Sequence, residues 1–348
     1  MRPAVGIIAN PVSARDLRRV VASAGSLQIA DRANIVLRVL AALAACGVER
    51  VLMMPEHGGI RPHVARGIER SRNLHEHRFP DIAYLEMPVT GTAADSTRAA
   101  DLMRRARVAA IVVLGGDGTH RAVVRECGDV PIAGISTGTN NAFPEHREPT
   151  VTGLAAGLVA SRRIPDEIAF ASNKRLEIVV GKRPPEIALV DVALVTDSFV
   201  GARALWRADT FRELFVTFAD PNVIGMAAIA GLIEPVGRYE SGGIMASLAP
   251  AATAKTVVHA PIAPGLIAPI GVEDWRRMPA GVAFQPRLKA GSVALDGERE
   301  IHFNESEQMS VTLVPDAFRT LNVSAIMHFA ARNGLLRAGA TQIADAFA

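Results

Sequence analysis

Residues 108–119 place an acid and a hydroxyl among glycines directly after an apolar run, in the order Val-Ala-Ala-Ile-Val-Val-Leu-Gly-Gly-Asp-Gly-Thr. An apolar run of this length that ends at glycine is typical of a buried strand in a parallel sheet. Residues 120–127 can continue as a short helix. The pattern therefore predicts that Asp117 lies just beyond the carboxyl end of a strand, where ligands bind in open α/β sheets.

The chemistry that this segment favours is phosphate binding combined with proton transfer. Glycines at 115, 116 and 118 let the main chain approach a phosphate group, and free N–H groups at the start of a helix attract anions. Asp117 has the chemistry to bind Mg²⁺ or to accept a proton from an attacking hydroxyl. The alternative is a glycine turn with a helix-capping Asp117 or Thr119, because short glycine motifs are weak evidence alone.

A second polar loop follows the next predicted strand, at residues 131–135. It reads Gly-Ile-Ser-Thr-Gly-Thr-Asn-Asn-Ala-Phe over residues 134–143. We expect it to leave the sheet at the same edge as the glycine loop, because both follow parallel strands. Its polar groups suit ribose or phosphate oxygens, although an ordinary polar loop is the alternative. The candidate binding residues in this loop are Ser136, Thr137, Gly138, Thr139, Asn140 and Asn141.

The same loop contains a G-x-S-x-G pattern at residues 134–138, which is the form of a hydrolase nucleophile elbow. That motif needs a helix immediately after the serine, whereas Thr-Gly-Thr-Asn-Asn and then Pro144 follow Ser136. Three histidines, His259, His302 and His328, are available as partners but stand in no distinctive context. A serine hydrolase that uses Ser136 is therefore only a minor alternative.

Three acidic residues in the second half of the chain are candidates for substrate binding. Asp191 lies inside an apolar strand pattern, and a buried carboxylate is costly without a partner. It is expected either to face a ligand or to pair with a buried arginine. Asp296 and Glu298 flank Gly297 at the end of another apolar run. Asp-Gly is also a common hairpin turn, so both interpretations of that segment stay open.

The elements that must position these residues change in type near residue 147. Before that point predicted strands at 4–9, 48–53, 82–87, 108–114 and 131–135 alternate with helical patterns. This alternation predicts an α/β domain over residues 1–147, with an open parallel sheet wrapped by helices. Residues 148–316 contain short strands separated by turn residues and predict an antiparallel β-rich substrate domain, with one helical insert at 202–218. Residues 317–348 are expected to form a helical tail that returns to the first domain.

Composition excludes several classes of function. The 348 residues, 49% hydrophobic and 21% charged, are ordinary for a soluble protein of two domains. The net charge of +3 lies in short basic clusters, which argues against nucleic-acid binding. No apolar run reaches the roughly 18 residues of a membrane helix, and the first residues form a strand pattern instead of a signal peptide. Two distant cysteines fit a reducing, cytoplasmic compartment. Histidines 57, 63, 75 and 77 lack ligand spacing, so no protein-bound metal is predicted.

The Gly-Gly-Asp-Gly-Thr segment at 115–119 and the Asn10-Pro11 pair after the first strand resemble the ATP-NAD kinase family. That family belongs with diacylglycerol and sphingosine kinases in a larger superfamily. Residues 1–60 and 92–119 are similar to its AcoX-like branch, which is found with acetoin-catabolism genes. The resemblance implies a Rossmann-like nucleotide-binding domain followed by a β-sandwich. It also implies ATP-dependent phosphoryl transfer to a hydroxyl, Mg²⁺ bound through the phosphates, and a homo-oligomer.

The resemblance further implies roles for particular residues. Asp117 matches the family's main catalytic acid/base or metal-organising residue, and the loop at 136–141 resembles its second glycine loop. The turn at 296–298 resembles an Asp-Gly-Glu or Asp-Gly-Gln turn near the family's carboxyl end. Residues implied to bind the nucleotide or its phosphates are Asn10, Gly115, Gly116, Gly118 and Thr119.

NAD kinases usually carry Asn-Glu where this chain has Val190-Asp191, and loss of a hydrogen-bonding side chain weakens discrimination at such a site. NAD(H) is the default acceptor by resemblance, and a small molecule or other dinucleotide stays open, as does polyphosphate in place of ATP. The alternative from a different class is a non-catalytic protein that binds a dinucleotide or ATP within a catabolic operon.

Overall fold

The computed structural model describes residues 4–11, 27–74, 78–138, 141–196, 208–297 and 299–337. The strands in these residues are β1 Val5–Ala9, β2 Arg50–Met53, β3 Asp81–Tyr84, β4 Ile111–Gly115, β5 Ile132–Ser136, β6 Phe170–Val180, β7 Glu186–Ala188, β8 Asp191–Val195, β9 Phe211–Val216, β10 Gly243–Ala249, β11 Thr256–Ala263, β12 Leu266–Met278, β13 Ala283–Phe284, β14 Gly291–Leu295, β15 Arg299–Phe303 and β16 Met309–Leu321. The helices are α1 Ile29–Ala45, α2 Ile60–Asn73, α3 Ala93–Arg105, α4 Asp117–Val124, α5 Pro149–Ala160, α6 Asp166–Ala169, α7 Met226–Gly231 and α8 Val323–Arg332.

The first sheet begins with five parallel strands in the order β3-β2-β1-β4-β5. Its central strands β1 and β4 are buried along their whole length. Strands that are apolar on both faces need helices on both sides, which is why β strands alternate with helices in this part of the chain. The predicted open parallel sheet is confirmed.

The same sheet continues beyond the parallel strands into an antiparallel extension. Strand β16 lies beside β5, with Thr320 opposite Ile132 in parallel, and pairs antiparallel with β6 on its other side. Strand β7 then pairs with β6, and β13 pairs with β16. One sheet therefore contains strands from both sides of residue 147, and the domain boundary drawn there stays a prediction.

A second sheet of seven antiparallel strands has the order β11-β12-β10-β9-β8-β14-β15. It packs on the antiparallel extension of the first sheet through an apolar layer. Ile178 and Leu313 contribute from the first sheet, and Leu194, Phe215 and Val293 contribute from the second. Two sheets that share one apolar layer form a sandwich, so the predicted β-rich second half is confirmed.

The helical insert predicted at residues 202–218 is wrong. Residues 211–216 of the expected helical insert are strand β9, and Ala208–Thr210 is a short 3₁₀ turn, while residues 202–207 lie outside the described part. Strand β9 lies between β8 and β10, and five of its six residues are buried. Apolar residues that are buried on both faces of a central strand match helical spacing by chance.

The predicted helical tail starts later than expected. Residues 317–321 complete β16, because Phe318 and Leu321 are buried where that strand pairs with β6. Helix α8 follows, and its Ile326 and Ala330 join the apolar cluster that contains Val36 of α1. Helix α8 therefore packs on the helical layer of the first sheet, and the assignment of residues 317–348 to the first domain stays a prediction. No described helix has the length and apolar character needed to span a membrane.

Candidate functional site

The glycine loop connects β4 to α4 in the arrangement that the sequence predicts. Strand β4 ends at Gly115, Gly116 is extended, and Asp117 begins the helix. A Cβ at residue 115 would lie 2.4 Å from Thr119 Cβ, and one at residue 116 would lie 2.7 Å from Asn141 Oδ1. Close packing inside the loop therefore explains these two glycines, and their contact with a phosphate stays a prediction.

Asp117 holds the loop that follows β5. Its Oδ2 accepts a hydrogen bond of 3.0 Å from the Ala142 N–H, and its Oδ1 accepts one of 2.9 Å from the Phe143 N–H. The residue is only 7% exposed. The start of a helix stabilises a carboxylate through the helix dipole. Asp117 therefore acts in this structure as a buried brace between two strand-end loops, and its role in proton transfer stays a prediction.

Arg238 holds the same loop from the opposite side. Its Nη2 donates a hydrogen bond of 2.9 Å to the Ala142 carbonyl, and its guanidinium lies over the rings of Phe143 and Phe218 at 4.8 and 4.9 Å. Because Asp117 binds the N–H of Ala142 and Arg238 binds its carbonyl, the peptide groups around Ala142 are fixed from both sides. The sequence analysis missed Arg238, and no local motif marks it.

Lys174 of β6 anchors the segment that carries Arg238. The Lys174 ammonium donates hydrogen bonds to the main-chain carbonyls of Gly237, Glu240 and Gly242. Burial lowers the pKa of Lys174 to about 8, because the charged form loses hydration. No local pattern marks Lys174, which belongs to a strand because β6 runs without a break from Phe170 to Val180.

The second polar loop leaves the sheet beside the glycine loop. Strands β4 and β5 are parallel with Gly115 opposite Ser136, which confirms that both loops leave at one edge. Ser136 Oγ accepts a hydrogen bond of 2.9 Å from Asn141 Nδ2, and Thr137 Oγ1 accepts one of 3.3 Å from Arg32 Nη1. Thr139 and Asn140 lie outside the described residues. Gly138 accepts a hydrogen bond from Ser136 Oγ through its carbonyl.

The hydrolase interpretation finds no support at Ser136. In the described part of the chain no helix begins between Ser136 and Pro149, whereas a nucleophile elbow needs a helix at once. His302 Nδ1 is bonded to Ser292 and His328 Nδ1 to Ser324, far along the chain from the loop. Ser136 is instead part of the internal bonding of the loop.

Asn10 connects the end of β1 to the glycine loop. Its Nδ2 donates a hydrogen bond of 3.2 Å to Thr119 Oγ1, and its carbonyl accepts one of 2.8 Å from Arg32 Nη1. Arg32 is 1% exposed, and through Asn10 and Thr137 it ties together the ends of β1 and β5. The sequence analysis missed Arg32, although an arginine within an apolar helical pattern was a usable signal.

Asp296 and Arg121 join α4 to the second sheet. The Asp296 carboxylate accepts hydrogen bonds from the N–H groups of Leu189, Val190 and Asp191, and it lies 3.3 Å from Arg121 Nη1. Burial raises the pKa of Asp296, and the charge of Arg121 opposes that change. These internal donors surround the carboxylate, so its contact with a substrate stays a prediction.

The other two predicted substrate contacts are less well defined. The Asp191 side chain is buried in β8, and its main chain exchanges hydrogen bonds with Asp296. Glu298 lies outside the described residues. Val190 packs in an apolar cluster, at the position where the resemblance suggested a polar contact. The structure therefore gathers Asp191 and Asp296 at one place, next to Arg121 of α4.

His120 supports the glycine loop from inside the protein. Its Nδ1 lies 2.9 Å from the Gly116 carbonyl, and its ring lies 5.6 Å from that of Phe143. Burial lowers the pKa of His120 to about 4, so the imidazole is neutral near pH 7 and Nδ1–H donates to the carbonyl. The sequence analysis treated this residue only as part of a helix.

Among the described residues, three openings adjoin the two loops. We call them the strand-tip cavity of about 590 Å³, the inter-sheet cleft of about 770 Å³ and the arginine groove of about 750 Å³. The strand-tip cavity is lined by Asn10, Pro11, Ile29, Met54, Glu56, His57, Gly58, Val89, Thr90, Gly91, Thr92 and Asp95. The inter-sheet cleft is lined by residues 141–142, 144–146, 218–224 and 235–240. The arginine groove lies between α3 and α4 and includes Gly118 and Arg121.

The glycine loop lies between the strand-tip cavity and the inter-sheet cleft, and it forms hydrogen bonds with residues that line each of them. Asn10 lines the strand-tip cavity and binds Thr119 in the glycine loop. Ala142 lines the inter-sheet cleft and binds Asp117 on the same glycine loop. Glycine-loop residues are thus one hydrogen bond away from residues that line each of two cavities.

The chain is similar to several known proteins. Residues 5–164 match the family described as the ATP-NAD kinase N-terminal domain, so the first part of the chain is of the NAD kinase type. Similar solved structures include a protein provisionally assigned as a diacylglycerol kinase from Bacillus anthracis str. Sterne, with 12% identity over 92% of this chain and 98% of that chain and a TM-score of 0.47. Yeast NADH kinase complexed with NADH has 16% identity over 92% of this chain and 83% of that chain, with a TM-score of 0.43.

The second part of the chain defines the family more closely. Residues 174–316 match the family described as the acetoin catabolism protein X C-terminal domain. The chain is 56% identical over 339 residues to acetoin catabolism protein X of Cupriavidus necator, which covers 96% of this chain and 94% of that protein. The chain belongs to the acetoin catabolism protein X family.

Proposed function

We propose that this protein transfers the terminal phosphoryl group of ATP to a hydroxyl group of a small molecule, with NAD(H) as the first acceptor to test. The observation that carries the proposal is the contact between Asp117 and the Ala142–Phe143 main chain. It joins the glycine loop, where phosphates are expected, to the wall of the inter-sheet cleft. Phosphoryl transfer depends mainly on positioning and charge neutralisation, and this brace suits the first requirement.

In this proposal the two ligands occupy the two cavities that flank the glycine loop. ATP lies at the strand-tip cavity, with its phosphates near Asn10 and Thr119. The acceptor lies in the inter-sheet cleft, with its hydroxyl near the braced main chain of Ala142. The oxygens of Asn10 and Thr119 suit Mg²⁺ that arrives on the phosphates, because this cation prefers oxygen ligands. When bound, Mg²⁺ would neutralise charge on the triphosphate.

A second candidate function is nucleotide binding without catalysis. It is favoured by a specific observation, namely that both carboxylate oxygens of Asp117 hold main-chain N–H groups. A carboxylate whose two oxygens both accept main-chain hydrogen bonds stabilises the loop. This candidate predicts saturable binding of ATP or a dinucleotide without any phosphorylated product.

A transfer assay separates the two candidates. The purified protein is incubated with γ-labelled ATP and Mg²⁺ against NAD⁺, NADH, diacylglycerol, sphingosine and small diols, and with polyphosphate as a second donor. Labelled product from one acceptor supports a kinase. Binding of ATP by calorimetry without product from any acceptor supports the second candidate, and absence of binding contradicts both.

Two variants then test how Asp117 contributes. Asp117→Asn removes the carboxylate, whereas Arg238→Met loosens the same loop from the carbonyl side of Ala142 and leaves the carboxylate in place. We expect Asp117→Asn to abolish turnover. Similar losses of kcat in both variants would assign Asp117 a positioning role, and a far larger loss in Asp117→Asn supports direct participation. Asp101→Asn, on the outer face of α3, is the matched control.

A further inference from the structure

Glu56, just after β2, carries a buried carboxylate oxygen that has no hydrogen-bond partner among the described residues. Glu56 is 8% exposed, and its Oε1 accepts a hydrogen bond of 2.7 Å from the Arg61 N–H in the first turn of α2. The oxygen without a partner is Oε2. Buried polar atoms without partners are rare in folded proteins, so this oxygen calls for a ligand.

Glu56 lines the strand-tip cavity, where the other carboxylate is already engaged. Asp95 accepts hydrogen bonds from the N–H groups of Thr90 and Gly91 and from Thr90 Oγ1. Among the described acidic residues of this cavity, Glu56 is therefore the one with an oxygen to offer. Its Oε2 faces Gly58, where a Cβ would approach it to 3.1 Å. The same Cβ would lie 2.3 Å from Pro11 Cβ, so close packing against Pro11 explains the glycine at this position.

The charge of the cavity indicates which part of a ligand it accepts. Among the described lining residues none is a lysine or an arginine, and two are acidic. A carboxylate repels phosphate and accepts hydrogen bonds, so a ligand has to present a hydrogen-bond donor here, which in a nucleotide is a hydroxyl or an amine group. The phosphates belong at the glycine loop instead, where Thr119 and the start of α4 lie.

The strand order places Glu56 and the glycine loop far enough apart to bind the ribose and the phosphates of one nucleotide. Strand β1 lies between β2, which leads to Glu56, and β4, which leads to the glycine loop. Two strand spacings amount to about 10 Å. In doubly wound sheets an acid beyond the second strand binds a ribose hydroxyl while the phosphates lie on a neighbouring glycine loop. The arrangement at Glu56 follows the same physical logic.

We propose that Glu56 Oε2 accepts a hydrogen bond from the ribose 2′-hydroxyl of the bound nucleotide and so selects ribonucleotides over 2′-deoxynucleotides. The proposal rests on the proposed function in one respect, because it takes ATP to be the ligand of this cavity. A hydrogen bond from a hydroxyl to a buried carboxylate contributes at least a tenfold preference for the ligand that can make it.

Equilibrium binding of the full chain tests this without any need for activity. Calorimetry compares ATP, 2′-deoxy-ATP and inosine triphosphate, which lacks the exocyclic amine, for the wild type, Glu56→Gln and Glu56→Ala. We expect the wild type to bind ATP at least tenfold more tightly than 2′-deoxy-ATP, and both variants to reduce that ratio to about threefold or less. Glu86→Gln, an exposed acid beyond β3, is the matched control and should keep the ratio.

The outcomes separate this inference from the proposed function. ATP binding without a preference over 2′-deoxy-ATP overturns the role of Glu56 and leaves the kinase proposal standing. The role of Glu56 is also overturned if its variants change the affinity ratio of ATP to inosine triphosphate and leave the ratio of ATP to 2′-deoxy-ATP unchanged. In that case the adenine amine would be the donor. Absence of binding for every nucleotide overturns both proposals. Glu56→Gln keeps an acceptor for the Arg61 N–H, so the comparison survives if Glu56→Ala does not fold.

Discussion

Replacing Asp117 by asparagine should weaken the fold as well as the proposed activity. The carboxylate accepts one hydrogen bond from Ala142 and one from Phe143, each about 3 Å long and buried. The asparagine side-chain oxygen can accept one of these hydrogen bonds. Its NH₂ group then faces the second main-chain N–H, and two donors cannot form a hydrogen bond. The loss of one charge-assisted bond and the weakening of the second amount to about 3 kcal/mol.

This loss is measurable as a shift in the thermal midpoint. An unfolding entropy of about 2.1 cal/mol/K per residue converts about 3 kcal/mol into a decrease of about 4 °C for a chain of this length. Differential scanning fluorimetry gives the midpoint, and hydrogen exchange reports the amides of Ala142 and Phe143, which should exchange faster. The matched Asp101→Asn variant removes two surface ion pairs, with Arg104 and Arg105, and should shift the midpoint by less than about 1 °C.

An unchanged stability of the Asp117→Asn variant would contradict the bracing role of this carboxylate. An Asp117→Asn variant with an unchanged midpoint and unchanged protection of Ala142 and Phe143 would show that the carboxylate does not brace this loop. In that case the link between the glycine loop and the inter-sheet cleft would be lost from the argument for phosphoryl transfer.

Three further predictions follow from the same region. Gly115→Ala should destabilise more than Gly116→Ala, because the new Cβ meets Thr119 Cβ at 2.4 Å in one case and the movable Asn141 side chain in the other; equal urea midpoints would contradict this. Arg121→Met should cost about 3–5 kcal/mol in urea unfolding, since it leaves Asp296 buried without its cation, and a loss below about 1 kcal/mol would contradict the ion pair. The pKa of His120 is lowered to about 4 from 6.5, so its contribution to stability is present above pH 6.5 and is lost as the pH falls toward 4. The free energy of unfolding should fall by about 3 kcal/mol over that range; His120→Asn, which keeps a donor for Gly116, should reduce this fall, and an identical pH profile would contradict it.

The order of strands and helices in the first part of the chain could be predicted because it depends on local patterns. An apolar run that ends at glycine indicates a buried strand, as for β4, and a capped amphipathic segment indicates a helix, as for α3. The second part was predicted less well. Strand β9 has apolar residues on both faces, and their spacing also fits a helix. Its position between β8 and β10 makes it a strand, and that position is a property of the tertiary structure.

Local sequence patterns also could not predict how many strands the first sheet contains. Strand β16 joins β5 and β6, which are separated from it by more than a hundred residues. A pairing of this kind depends on which sheet edge is open when the chain folds. No feature of residues 309–321 by itself identifies that edge, and the region was expected to divide between a strand and a helical tail.

The amino-acid sequence by itself determined the family, the strand-end location of Asp117 and the shared edge of the two polar loops, because strands, glycine turns and helix starts are encoded by neighbouring residues. Only the tertiary structure decided what these side chains contact. Arg32 reaches Thr137 across 105 residues, and Arg121 reaches Asp296 across 175. Such partners meet only when the chain is folded. Because a buried charge without a partner is costly, the folded arrangement is one in which each of these buried arginines has an acceptor.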